Sequence, residues 1–217
     1  MNPFTALRDA WFFYSRHFAF LLRLCLPLIL AESAARLAAD RWLASSDPAM
    51  RDLLLGLLFY PLYTAALIRF AVARNAGEQP PVAALLEQAL QRWLPMALLV
   101  GLVSLAIMLG ASLFVVPGLY LMVKLAFAEY LLVERGATPL AALKGSFVLT
   151  RGHFLPLLST VLMVMLPLWL LDAWSHQAFA DPATPLPLRM ALDGGLGLLQ
   201  LYGTLVFFRL YMLARPA

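Results

Sequence analysis

The stretch Leu94–Val133 reads L-P-M-A-L-L-V-G-L-V-S-L-A-I-M-L-G-A-S-L-F-V-V-P-G-L-Y-L-M-V-K-L-A-F-A-E-Y-L-L-V. Apart from Lys124 and Glu129 it carries no charge. As a single helix it would be about 60 Å long, twice the hydrocarbon thickness of a bilayer, so it must fold back on itself. The only local breaker is Pro117-Gly118, because proline disfavours helix at the residue before it. The sequence therefore predicts a tight hairpin at Pro117 and Gly118, with one span over Leu94–Val116 and the next over Gly118–Val133.

Four further apolar runs are long enough to cross a bilayer. They are Phe18–Ala39, Leu53–Ala73, Phe154–Trp174 and Met190–Leu213. Polar or proline-rich stretches divide them: Asp40–Asp52, Asn75–Pro81 and Ser175–Leu188, the last containing Pro182, Pro185 and Pro187. Composition agrees. Of 217 residues, 63% are hydrophobic and 13% charged, with a mean hydropathy of +0.82. Soluble domains run roughly 45–50% apolar and 25% charged. An ordinary soluble enzyme, a disordered tail and a fibrous repeat are excluded. The expected fold class is all-α: one integral membrane domain over 1–217, with six transmembrane helices.

Orientation follows from the basic residues near the span ends, which favour the cytoplasmic side. Arg8, Arg16, Arg23, Arg69, Arg74, Arg92, Arg135, Lys144, Arg151, Arg209 and Arg215 fall on one side. Arg36, Arg41, Arg51 and Arg189 fall on the other, and Lys124 lies within a span. Eleven against four puts both termini in the cytoplasm, and a shared side for the termini is consistent with six spans. The net charge of +4 thus reflects orientation rather than nucleic-acid binding, and no nucleic-acid partner is expected. Met1–Ala35 is not read as a cleaved signal peptide, since Arg23 interrupts its apolar run. The single cysteine, Cys25, cannot form an internal disulfide.

A short segment with helical spacing precedes the first, third and fifth spans: Thr5–Phe18, Ala83–Trp93 and Ala141–Phe154. The first and third align without a gap, pairing Leu7 with Leu143, Arg8 with Lys144, Trp11 with Phe147, His17 with His153 and Phe18 with Phe154. In the third, Leu140, Leu143 and Phe147 share one helix face. Such segments read as amphipathic helices lying in the interface, with apolar faces among acyl chains and basic residues at anionic headgroups. Arg8, Arg16, Lys144 and Arg151 are the candidate headgroup contacts, and phospholipids the expected partners. The whole chain reads as three such helix-plus-hairpin units. A second copy of the chain, or another membrane protein, is left open as a partner.

The segment V-P-G-L-Y-L-M-V-K-L-A-F-A-E-Y-L-L-V-E-R-G-A-T-P-L-A-A-L-K-G-S-F-V-L-T-R-G, Val116–Gly152, resembles the YciC family of uncharacterised bacterial inner-membrane proteins. The closing F-R-L-Y-M-L, Phe208–Leu213, and the paired aromatics Phe12 and Phe13 are similar to that family too. Membrane domains attached to some glycerophosphodiester phosphodiesterases share a similar Pro-Gly hairpin and A-L-x-x-S-x-x-L-T segment, although this chain is too short to carry the phosphodiesterase itself. The resemblance implies a multi-pass protein of the bacterial inner membrane with no assigned activity, and it supplies no catalytic residues.

Ionisable residues inside a membrane are costly and so are the leading functional candidates. Lys124 and Glu129 are the deepest. On a continuous helix they stand about 140° apart and cannot pair with each other. Arg69 and Arg209 are the expected partners of Glu129, and Glu32 and Asp193 those of Lys124. His17, His153 and His176 show no metal-ligand spacing. No phosphate-binding glycine loop and no nucleophile elbow are present, so neither cofactor nor enzymatic activity is expected. Gly110, Gly194, Gly195, Gly197 and Gly203, with Ala106, suit close helix packing. Two functional classes remain. The sequence favours a non-enzymatic envelope component that contacts lipids through a dry bundle. The alternative is a small transporter or lipid-handling protein with a wet polar cavity around Lys124 and Glu129.

Overall fold

The computed structural model describes residues 3–42, 47–178 and 185–215. Parts of the two outer connections expected from the sequence, residues 43–46 and 179–184 with Pro182, lie outside the described residues, as does the side chain of His176. Among the described residues the structure is helical without strands. It comprises α1 (Pro3–Arg16), α2 (Phe18–Trp42), α3 (Pro48–Asn75), α4 (Val82–Gln91), α5 (Trp93–Leu113), α6 (Val115–Leu125), α7 (Ala128–Arg135), α8 (Pro139–Leu149), α9 (Phe154–Ala178) and α10 (Leu186–Ala214). Six stretches are long and apolar enough to cross a bilayer: Phe18–Ala39, Met50–Asn75, Trp93–Leu113, Val115–Arg135, Phe154–Ser175 and Pro187–Ala214. This supports a multi-pass membrane protein.

The chain reverses at Phe114, not at Pro117-Gly118. Phe114 is extended, with φ −163° and ψ 158°, and α6 begins immediately after it. Pro117 sits in the first turn of α6, where an amide hydrogen has no helical partner and proline is tolerated. Gly118 serves packing instead. A Cβ there would come within 3.0 Å of the Ala111 backbone, and one at Gly110 within 3.0 Å of the Gly118 backbone. The two glycines let α5 and α6 approach closely below the turn.

The fourth span is also broken, between Leu125 and Ala128. A break frees backbone groups that lipid cannot satisfy. Ser146 of α8 meets this need, since its Oγ donates to the Lys124 carbonyl at 2.8 Å and accepts from the Phe127 amide at 3.1 Å. The serine of the A-L-K-G-S-F-V-L-T segment is therefore a backbone stitch.

The spans close into a ring of packed neighbours in the order α2, α3, α5, α6, α9 and α10, with α10 returning to α2. The second member of each consecutive pair is the more buried. The windows in α3, α6–α7 and α10 are 44%, 44% and 50% buried, against 33%, 17% and 22% in α2, α5 and α9. The core lies mainly in the carboxyl halves of those inner spans, through Leu67, Phe127, Leu132 and Tyr211. Tyr130 joins α7 to α10 by donating to the Thr204 carbonyl at 2.8 Å. The outer spans leave Leu98, Leu105, Leu109, Leu162 and Leu170 exposed, a surface suited to acyl chains.

The short helices follow one rule. Helix α1 packs on α10, α4 on α3 and α8 on α7, so each covers an inner span. The gapless alignment is matched by burial: Ala6, Ala10 and Tyr14 are buried in α1, as are Ala142, Ser146 and Thr150 at the equivalent positions around α8. The face of α8 that packs inward is thus Ala142, Ser146 and Thr150. Leu140 is 64% exposed. Small residues are needed there because α8 lies tightly on α7, where a Cβ at Gly145 would meet Leu131 at 2.9 Å.

Candidate functional site

Five spans converge on a cavity of about 430 Å³. It is walled by the carboxyl part of α2, the amino half of α3, the middle of α5, the carboxyl part of α9 and the amino half of α10, with Glu129 of α7 beneath. Its upper parts belong to the helix ends that the basic asymmetry assigns to the outer side. Asp52 and Asp172 lie nearest those ends. Tyr60 stands two turns further along α3, about 12 Å below Asp52. Its hydroxyl donates to the Glu129 carboxylate, 3.2 Å from each oxygen. Glu129 therefore forms the floor.

The lining inverts the charge of the chain. Glu32, Asp52, Glu129, Asp172 and Asp193 face the cavity, and among the described residues Arg36 is the only basic one in its walls. The whole chain carries sixteen basic and twelve acidic residues. Arg36 pairs with Glu32 at 2.6 Å and reaches Asp52 at 3.8 Å. Glu32, Ser33 and Arg36 come together because they occupy one face of α2 at helical spacing. Ser33 Oγ donates to Asp193 at 2.5 Å, tying α2 to α10. Gly197 admits Ile29 at this contact, since a Cβ there would lie 2.6 Å from Ile29 Cγ2.

Carboxylates are held in a membrane protein only where paired, hydrogen-bonded or wetted. Glu129 keeps accessible surface while its neighbours Ala128 and Tyr130 are buried. That surface is the cavity floor. The carboxylates are spread over the walls rather than gathered. Among the described residues no three His, Cys, Asp or Glu side chains stand close enough to hold a metal ion. The cavity thus presents a distributed negative field beside apolar surface from Leu53, Leu57, Val100 and Val103.

Of the residues expected to form an intramembrane site, Glu129, Glu32 and Asp193 are brought together and the other three are not. Lys124 is buried away from the cavity, with its ammonium 5.7 Å from the centroid of the Tyr120 ring, a cation–π contact in place of an ion pair. The expected pairing of Lys124 with Glu32 or Asp193 is not found. The break after Leu125 also removes the continuous helix on which the angle between Lys124 and Glu129 was reckoned. Arg209 pairs with Asp9 of α1 at 3.2 Å, and Arg69 buries an Nε with no hydrogen-bond partner, so neither reaches Glu129. The wall residues that sequence reasoning missed are Asp52, Tyr60, Tyr63, Ser104 and Gln200.

On the basic side, the expected headgroup contacts Arg8, Arg16, Lys144 and Arg151 are all exposed. Arg16 lies over the ring of Phe12 at 5.9 Å, and Phe4, Trp11 and Phe12 are exposed on the same helix. Tyr211, Glu134 and Arg215 form a hydrogen-bonded cluster that joins α7 to the end of α10. No family model, curated protein or solved structure matches the chain.

Proposed function

We propose that this chain is a small, non-enzymatic membrane transporter that takes an organic cation into an acidic cavity open to the outer side. The observation that carries this reading is the lining: among the described residues, five carboxylates and one guanidinium stand around about 430 Å³. A negative field focused in a low-dielectric cleft concentrates cations. An organic cation suits the site better than a metal ion, because the carboxylates are dispersed among apolar walls. A cavity lined with carboxylates weighs against the dry bundle of a purely lipid-contacting envelope component. The site is Glu129 with Tyr60, Glu32, Asp52, Asp172 and Asp193. Lys124 has no part in it.

The probe pair tetraphenylphosphonium and tetraphenylborate tests the reading, since the two ions share size and shape but differ in charge. In equilibrium dialysis of the full chain in neutral detergent, the phosphonium should bind saturably and the borate should not. Equal binding of both, or no saturable binding of the phosphonium, would overturn the proposal.

We also propose three units, each a short helix followed by a pair of spans, with the short helices at the headgroups of a bacterial inner membrane and both termini cytoplasmic. Support comes from the matched burial of α1 and α8, the exposed Arg8, Arg16, Lys144 and Arg151, and the eleven-to-four distribution of basic residues. The resemblance to YciC rests on the sequence segments and is consistent with that setting. A reporter fused after Ala217 should behave as cytoplasmic and one inserted at Pro185 as periplasmic. The opposite labelling would reverse the orientation and move the cavity mouth to the cytoplasm.

A further inference from the structure

The corner between α1 and α2 and the end of α3 enclose a second cleft, of about 490 Å³. Its polar lining is Arg16, His17, Arg23, Arg74 and Gln79, and among the described residues no carboxylate contributes to it. Among the described residues Arg36, Arg209 and Arg215 have acidic partners in Glu32, Asp9 and Glu134, whereas Arg69 and Arg92 have none. Among the described residues no ion pair is formed by Arg16, Arg23 or Arg74.

Arg74 is oriented without being neutralised. Its Nε and Nη2 lie 3.2 and 2.9 Å from His17 Nε2. A guanidinium only donates, so Nε2 is the acceptor. Nδ1 then carries the hydrogen and donates to the Phe13 carbonyl at 3.0 Å, which makes the imidazole neutral. Phe13 and Phe70 hold the ring at centroid distances of 4.5 and 5.6 Å. The sequence brings this about through His17 at the α1–α2 corner and Arg74 in the last turn of α3. The result is a guanidinium held in place by a neutral imidazole, in a cleft with two more guanidinium groups and no carboxylate among the described residues.

We propose that this cleft binds a phosphate ester. Three uncompensated guanidinium groups repel one another, and a phosphate supplies the acceptor oxygens and charge that relieve this, through bidentate charge-assisted hydrogen bonds. The stacked pair Phe20 and Phe70, 4.4 Å apart, provides an apolar wall beside the polar end. Both a phospholipid headgroup and a soluble phosphate ester carry this chemistry. The inference sharpens the reading of the basic side as a headgroup surface by assigning one built site within it, and it does not depend on the acidic cavity.

The test titrates the full chain, in neutral detergent, with dioctanoyl phosphatidylglycerol and with glycerol 3-phosphate, followed by native mass spectrometry. At least one should bind saturably, and the tighter of the two identifies the source of the phosphate. The double variant Arg16→Gln, Arg23→Gln changes exposed side chains only and should weaken binding at least tenfold, at roughly fivefold for each charge removed. Arg74→Gln should also weaken it. The double variant Lys144→Gln, Arg151→Gln removes the same charge from the general headgroup surface and should weaken binding less than about twofold. Equal loss in the two double variants would overturn the site while leaving a general headgroup surface. Loss in neither would overturn both, as would the absence of saturable binding by either probe.

Discussion

Glu129→Gln should weaken cation binding by about 30-fold or more while leaving the fold intact. Glutamine keeps the shape of the side chain and still accepts from Tyr60, whose hydroxyl lies 3.2 Å from each carboxylate oxygen. It removes the charge at the cavity floor, where water is least able to screen it. Removing one partner of a desolvated charge pair costs about 2–5 kcal/mol of binding. Tetraphenylphosphonium affinity should therefore fall by about 30-fold or more, with little change in thermal stability. Asp52→Asn is the internal comparison. Asp52 lies at the rim, half-compensated by Arg36 at 3.8 Å, and its loss should cost less than tenfold, as for an exposed charge. If the two substitutions act equally, the floor has no special place and the site is a diffuse surface field.

The second large effect is on stability. Gly118→Ala should destabilise the protein, although alanine is the better helix former by about 0.5–1 kcal/mol. The new Cβ would lie 3.0 Å from the Cα and N of Ala111, and backbone atoms cannot move aside as a side-chain end can. Overpacking of this kind costs about 1–3 kcal/mol and should lower the Tm in detergent by several degrees. Gly195→Ala is the matched control, because nothing lies within 4 Å of a Cβ there, and it should be neutral or slightly stabilising. A similar response at both positions would mean that the α5–α6 contact is not close-packed.

What the sequence makes legible follows from which forces are local. Six spans are readable because hydrocarbon thickness sets a length that a single run of residues must satisfy. The basic asymmetry is a count along the chain and needs no tertiary structure. The turn is different. Proline and glycine mark a breaker at 117 and 118, but a first helical turn tolerates proline, so the chain reverses three residues earlier at Phe114. The break after Leu125 is invisible in sequence because the group that satisfies it, Ser146, lies on another helix.

The candidate site is half legible for the same reason. Glu129, Glu32 and Asp193 stand out as charges within or beside apolar runs. Glu32, Ser33 and Arg36 also announce a polar face on α2. Lys124 stands out equally, yet it turns to Tyr120 instead. Nothing in its neighbours distinguishes the two outcomes, since the helix is apolar on all sides there. Tyr60, Tyr63, Ser104 and Gln200 are unremarkable residues that matter only because six helices bring them around one space. Asp52 and Asp172 lie at helix ends, where a solvated charge is the ordinary expectation.

The central claim is that the cavity is wet, acidic and open to the outer side, and a cysteine at Ser104 reads all three properties. Ser104 lines the cavity from α5, whereas Leu105, the next residue, is 55% exposed on the surface assigned to lipid. In a Cys25→Ala background, Ser104→Cys should react with membrane-impermeant thiosulfonates added from outside, and Leu105→Cys should not. The cationic reagent carrying a trimethylammonium group should react at least tenfold faster than the anionic sulfonate, because the carboxylates concentrate it. An inert Ser104→Cys, or one modified as fast by the anionic reagent as by the cationic one, would contradict the account.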